Sequence, residues 1–286
     1  MSSRLPQEGS RINREKIVDF RYNGKNLKGF YGDTVASALL ANNEMFVARS
    51  FKYHRPRGIF SAGEEEPNAL MGIGEGPFFE PNIRATEVKL KQNMNVASQN
   101  HWPSLRFDFL SINNVFSRFF AAGFYYKTFM WPRAAWKYLF EPMIRRASGL
   151  GNAPREYDEE HYEHIYHHTD ILIIGGGLAG ITAAKALRDR GLSIMLCEKD
   201  CVIGGRYLEN SKTEEKDRYK KFHKNSIGIL KKSKDISVKL NTTVTSIFDH
   251  GFVLAYEENQ HSSTATKKAL WKIRAKTIIL CTGAIE

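Results

Sequence analysis

The residues of this chain best suited to chemistry lie in one short run, Asp170-Ile-Leu-Ile-Ile-Gly-Gly-Gly-Leu-Ala-Gly180. Four apolar residues, Ile171 to Ile174, lead into Gly175-x-Gly177-x-x-Gly180, and an Ala-rich stretch, Ile181 to Leu187, follows at once. A buried strand, a glycine turn and a helix start are what a dinucleotide site requires. Gly175 permits the tight turn, Gly177 lets a pyrophosphate approach the backbone, and Gly180 lets the helix lie close to the strand. The unpaired N–H groups of the first helical turn, Ala179 among them, then face the phosphates.

A glycine turn alone is a weak signal, but three further features stand where the same fold puts them. A second apolar strand, Ser193 to Cys197, ends in Glu198, 18 residues after Gly180. That is the position of an acid that accepts hydrogen bonds from the adenosine ribose hydroxyls, and such a carboxylate favours NAD over NADP. Gly204-Gly205-Arg206 resembles the second glycine pair of the two-dinucleotide-binding flavoprotein superfamily. Thr277-Ile-Ile-Leu-Cys-Thr-Gly283 resembles that superfamily's strand ending in Ala-Thr-Gly, with Cys281 in the Ala place. The resemblance puts Lys199, Asp200 and Arg206 at the adenosine end. It also puts the backbone of Val244, at the end of an expected strand, against the adenine.

Other chemistries find less support. No ordered Ser, His and Asp motif marks a nucleophile, so no catalytic residue is assigned. His161, His164, His167 and His168 invite a metal, yet no cysteine or carboxylate set completes the ligands, and they read as an exposed linker. Cys197, Cys201 and Cys281 read as small core residues, and so low a cysteine count suits a reducing, cytoplasmic setting. The net charge of +11 is dispersed over mixed-sign runs such as Lys212 to Lys224, which read as solvated helix faces and not as a nucleic-acid groove. Apolar stretches are broken by charge well short of the ~20 residues a membrane span needs.

The elements that must carry the turn begin upstream. Residues 1–15 read as a flexible arm. Ile17 to Tyr22 and Leu27 to Tyr31 read as strands joined at Asn23-Gly24, a strong hairpin signal. Asp33 is expected to cap a helix from Thr34 to Asn42 with Val35, Ala38, Leu39 and Ala41 buried. Hairpin then helix implies a β-grasp, ferredoxin-like domain over 16–100. Where plant-type ferredoxins carry cysteines, this chain has Arg49-Ser-Phe-Lys-Tyr-His-Arg-Pro-Arg-Gly-Ile-Phe-Ser-Ala-Gly-Glu-Glu-Glu-Pro-Asn-Ala-Leu70, so no iron–sulfur cluster is expected.

That loop, with Ser98-Gln-Asn-His-Trp-Pro-Ser-Leu-Arg-Phe-Asp108 and Ala122-Gly-Phe-Tyr-Tyr-Lys-Thr-Phe-Met-Trp-Pro132, resembles the N-terminal portion of the alpha subunits of heterotetrameric sarcosine oxidases. The resemblance covers residues 17 to 286. It implies an α/β chain: a cluster-free ferredoxin-like domain, then an NAD-binding, Rossmann-like two-dinucleotide-binding flavoprotein domain over 169–286. It also implies a longer subunit, so that the second domain is incomplete here and the piece is inactive and aggregation-prone alone. The implied reaction oxidises the N-methyl group of sarcosine, giving glycine, hydrogen peroxide and a one-carbon unit for tetrahydrofolate. The implied partners are the beta, gamma and delta subunits, with the flavins on beta and its interface with alpha.

Between the domains, residues 101–168 form an aromatic-rich connection. Phe119 to Tyr126 and Phe129 to Trp136 carry interspersed Arg and Lys that do not segregate to one face, and Pro132 breaks the run. A buried segment, packed between domains or against a partner, fits better than a membrane-surface helix. Two alternatives stay open: a related amine or imino-acid dehydrogenase subunit holding FAD in the same pocket, and a non-catalytic assembly scaffold.

Overall fold

The structure, a computed structural model, describes residues 3–4, 12–119, 123, 129, 131–205, 215–258 and 266–284. The chain divides into two compact units, Met1–Asp158 and Glu159–Glu286.

In the first unit β1 (Asn13–Tyr22) and β2 (Lys25–Tyr31) form the expected hairpin, with Tyr22 opposite Lys25. Asn23 and Gly24 both take positive φ, 47° and 80°, as a primed two-residue turn demands. Helix α1 (Val35–Ala41) starts one residue later than its sequence suggests. Thr34, not Asp33, is the cap, in a reciprocal pair of bonds with Ser37. Asp33 is buried and closes the turn behind the cap. Its carboxylate accepts from the Phe30 N–H (2.8 Å) and the Ser37 hydroxyl (2.6 Å) and pairs with Arg4. The Ser3 N–H and hydroxyl donate to the Ala41 and Leu40 carbonyls, so this part of the expected arm is docked on α1. Residues 13–15 of that arm already belong to β1, and residues 1–2 and 5–11 lie outside the described residues.

A small ribbon of β3 (Ala48–Arg49) and β4 (Pro56–Arg57) precedes β5 (Leu70–Ile73), β6 (Glu80–Arg84) and β7 (Met94–Ser98). The sheet order is β2-β1-β7-β5-β6, with β1 and β7 parallel. Val18, Phe20 and Tyr22 alternate inward from β1 and meet Val35, Ala38 and Leu39 of α1 over Met71 and Val96. A mixed sheet gripping one helix is the β-grasp arrangement.

The connecting segment is partly helical over its described residues. After Pro132 a turn at Arg133–Ala135 and a π-helical stretch, Trp136–Phe140, run into α2 (Glu141–Ala147). Trp131, Tyr138, Leu139 and Met143 are exposed. Most of the Phe119 to Tyr126 run lies outside the described residues.

The second unit is one six-stranded sheet: β8 (His161–Ile174), β9 (Ile194–Cys197), β10 (Ile236–Lys239), β11 (Thr242–Phe248), β12 (Phe252–Glu258) and β13 (Thr266–Leu280). Its order is β10-β9-β8-β13-β12-β11. The first four are mutually parallel, and β11, β12 and β13 form an antiparallel meander. Helices α3 (Leu178–Leu187) and α4 (Glu215–Lys232) belong to this unit. Ile181 and Ala184 of α3 and Leu230 of α4 pack on Ile171, Ile173 and Leu196. The opposite core joins Leu172 and Met195 to Val253, Ala255, Trp271 and Ile273 of the meander.

The histidines read as a linker are strand residues. The first half of β8 pairs with the first half of β13, from His161 opposite Thr266 to His168 opposite Arg274. Strand alternation sends His164 and His168 to one face and His167 to the other, where it meets Trp271 edge-on at 5.9 Å. Among the described residues, no three His, Cys, Asp or Glu side chains gather as metal ligands, and no helix is long and apolar enough to cross a membrane.

Candidate dinucleotide-binding site

The glycine turn closes the carboxyl end of β8, between its two neighbours. The Gly175 N–H donates to Cys197 O (2.8 Å) on the β9 side, and Cys281 N–H donates to Ile174 O (2.8 Å) on the β13 side. The chain leaves β8 towards β9, while β13 lies on the other flank. The turn thus opens at the point where strand order reverses, the crevice in which open α/β sheets take ligands.

The glycines of the motif stand in different surroundings. Gly175 has φ +104°, and a Cβ there would stand 2.3 Å from Cys281 O. A Cβ on Gly180 would stand 1.9 Å from Gly175 O, so only glycine lets α3 seat against the turn. Gly177 is the opposite case. A Cβ there meets nothing within 4 Å, so its glycine is not required by the packing of this chain. It is also the N-cap of α3 and offers no side chain to the first helical turn, on which Ala179 is exposed.

Glu198 sits beside this open space and is buried. One carboxylate oxygen accepts from the Gly176 N–H (2.6 Å) and the other from the Asp200 N–H (2.9 Å). Its own N–H donates to Lys239 O and its carbonyl accepts from Thr242 N–H. A carboxylate has about four acceptor positions, so two bonds to the chain leave capacity for ribose hydroxyls.

The second glycine pair joins the first. Gly204 N–H donates to Gly176 O (2.8 Å), and Gly205, at φ +58°, would set a Cβ 3.2 Å from Gly177 Cα. His223 of α4 donates to Ile203 O (2.6 Å) and holds this loop from behind. Asp200 contributes its backbone, accepting from Asn241 N–H (3.0 Å), and Lys199 is exposed. Gly283, at φ +77°, has open space at its Cβ position.

Some expectations shift. Val244 is the third residue of β11, opposite Ala255, and its half-buried side chain joins the core; it does not end the strand. The strand starts late because Asn241, at φ +50°, turns the chain immediately before it. Arg206 lies outside the described residues. Cys201 is exposed and not a core residue, whereas burial pushes the Cys197 thiol up to about 12. Gly176 and Gly204 carry bonds that the spacing of the motif did not mark. The run of three glycines was the available signal for Gly176, whose Cβ would meet Ile203 at 2.8 Å and the Glu198 carboxylate at 2.9 Å.

Comparison with known proteins places these units. Residues 15–101 match the family model described as a 2Fe-2S iron-sulfur cluster binding domain, and residues 169–286 match pyridine nucleotide-disulphide oxidoreductase. The sarcosine oxidase subunit alpha of Rhizobium meliloti (strain 1021) is 42% identical over 290 residues, covering 100% of this chain and 29% of that protein. The subunit alpha of Corynebacterium sp. (strain P-1) is 28% identical over 299 residues, covering 100% of this chain and 26% of the relative. The chain therefore spans less than a third of the length of these curated relatives. The crystal structure of L-proline dehydrogenase from P. horikoshii aligns with 98% of this chain and 43% of its own at TM-score 0.56 and 21% identity, a likeness of fold.

The two groups these matches imply fare differently. Iron–sulfur clusters are held by thiolates, and residues 15–101 contain no cysteine, so the residues present do not fit a cluster. A dinucleotide fits what is present: the space at Gly177, the uncapped start of α3 and the remaining capacity of Glu198.

Proposed function

We propose that this chain, homologous along its whole length to the alpha subunits of sarcosine oxidase, is the nucleotide-binding part of an oxidoreductase subunit that serves the oxidation of a CH–NH donor. Gly175, Gly177, Ala179 and Gly180 cradle the pyrophosphate of NAD, and Glu198 accepts from the adenosine ribose. Lys199, Asp200, Gly205, the backbone of Val244 and Gly283 line the rest of the pocket, and the superfamily resemblance assigns Arg206 to its adenosine end. The observation that carries this reading is Gly177: it is a glycine whose Cβ position is open, at an uncapped helix start, beside an acid with acceptor capacity to spare. NAD bound there supplies hydride chemistry; this chain's residues bind and orient it.

The donor we propose is sarcosine, demethylated to glycine with hydrogen peroxide and a one-carbon unit for tetrahydrofolate. The activity belongs to an assembly with beta, gamma and delta subunits, the flavins lying on beta and its interface with alpha, in the cytoplasm. The second reading is FAD in the same pocket, as in an amine or imino-acid dehydrogenase subunit. Turn and carboxylate recognise the ADP half that both cofactors share. The test is the cofactor released when the purified protein is denatured. NAD in a colourless protein is the expected result. Flavin absorbance selects the second reading, and release of no nucleotide, with none bound on titration, overturns both in favour of a scaffold.

A further inference from the structure

The family model matched over residues 15–101 describes a cluster-binding domain, and those residues contain no cysteine to supply the thiolates. Its cysteine-free loop is nonetheless ordered around a single group. Three glutamates stand in a row, Glu64, Glu65 and Glu66, and only Glu66 is buried, at 1% exposure. One oxygen of its carboxylate accepts from the N–H groups of Phe60 (2.7 Å) and Ser61 (2.6 Å). The other accepts from those of Asn68 (2.8 Å) and Ala69 (3.2 Å). Four backbone donors thus converge on one anion inside a loop that Ala85 N–H to Ala69 O (2.9 Å) and the Thr86 hydroxyl to Gly63 O (2.8 Å) tie to the sheet.

The spacing of those donors carries the argument. Plant-type two-iron sites use a Cys-x4-Cys-x2-Cys run. Ser61-x4-Glu66-x2-Ala69 has that spacing, and Glu66 is bonded to the N–H of both flanking positions. At the first of them the Ser61 hydroxyl is buried and has no hydrogen-bond partner, a polar group left at the place of a ligand. Convergent backbone N–H groups form an anion-binding nest whatever the anion.

We propose that the Glu66 carboxylate is the built-in replacement for a cluster: an anion supplied by the chain itself, which organises the loop at the register that cysteines would occupy. Two consequences are measurable. In the parent chain the amides of Phe60, Ser61, Asn68 and Ala69 exchange with solvent as slowly as those of the adjoining strands. In Glu66→Ala the nest loses its anion and becomes a site for a small carboxylate. The unfolding midpoint of the first unit falls by roughly 10 °C or more. Formate or acetate, at concentrations that leave the parent unchanged, recovers part of that loss. Glu66→Gln keeps an acceptor for one pair of donors and faces the other pair with an amide N–H, so it falls less than Glu66→Ala and gains nothing from formate.

Fast exchange of the four amides in the parent would overturn the proposal, and that readout holds even where Glu66→Ala fails to fold. So would an unchanged midpoint in Glu66→Ala, or an equal response to formate in parent and variant.

Discussion

Two clusters of backbone N–H groups, one in each unit, present the same chemistry with opposite outcomes. In the loop around Glu66 four donors converge on a carboxylate from two to six residues away in sequence, and the nest is closed. At the glycine turn the chain satisfies Gly175 and Gly176 through Cys197 and Glu198, and leaves the space at Gly177 open. Convergent donors therefore do not by themselves mark a cofactor site. What distinguishes the two is whether the chain provides its own anion, and a buried carboxylate with four bonds leaves a visitor neither space nor donors.

The largest expected effect separates glycines required by the fold from the one required by a ligand. Gly180→Ala sets a Cβ 1.9 Å from Gly175 O, a backbone atom that cannot yield without moving α3. It should cost more than about 3 kcal/mol and abolish nucleotide binding. Gly177→Ala introduces no clash and, at an N-cap, should cost less than about 1 kcal/mol while weakening nucleotide at least ~tenfold. Denaturant titration and calorimetry read the two quantities. Tight binding by Gly177→Ala would close the distinction between the nests.

A smaller effect tests the closed nest through acid. Burial alone would raise the Glu66 carboxyl, and the N–H groups of Ser61, Asn68, Phe60 and Ala69 outweigh it, holding it below the usual value of 4.5. A carboxyl depressed on folding contributes stability that is present above that value and lost as pH falls through the lower folded value. The first unit should therefore lose stability below about pH 4.5, with the loss shallower in Glu66→Gln. Midpoints of thermal unfolding from pH 7 to pH 3 give the comparison; parallel curves for parent and variant would remove Glu66 as the titrating group.

The smallest effect concerns the acid at the open nest. Glu198→Ala would remove support for Gly176 as well as the ribose acceptor, so Glu198→Gln is the cleaner change. A charge-assisted bond is worth about 1.5–3 kcal/mol, and the amide retains part of it, so NAD affinity should fall roughly tenfold or less. The gap to NADP should narrow, because the carboxylate no longer repels the extra phosphate. Calorimetry with both nucleotides checks this, and an unchanged NAD affinity would take Glu198 out of the pocket.

Local patterns were enough to read much of this molecule. The Asn23-Gly24 hairpin, the strand–glycine–helix run at Ile171 to Leu187 and the acid after β9 are written in neighbouring residues, because φ limits and side-chain periodicity act over a few positions. The absence of cysteine before residue 197 excluded a cluster without any coordinates. Tertiary structure decided the rest. Which of three consecutive glutamates turns inward depends on four amides that only a folded loop brings together. Whether Asp33 caps a helix or closes a turn depends on Phe30 and Arg4 arriving beside it. His161 to His168 became strand because β13, about a hundred residues later, offered a partner. And the Gly204 to Gly176 bond joins two glycine motifs through pairing that no local rule encodes, since hydrogen bonds between distant segments are set by the fold that delivers them.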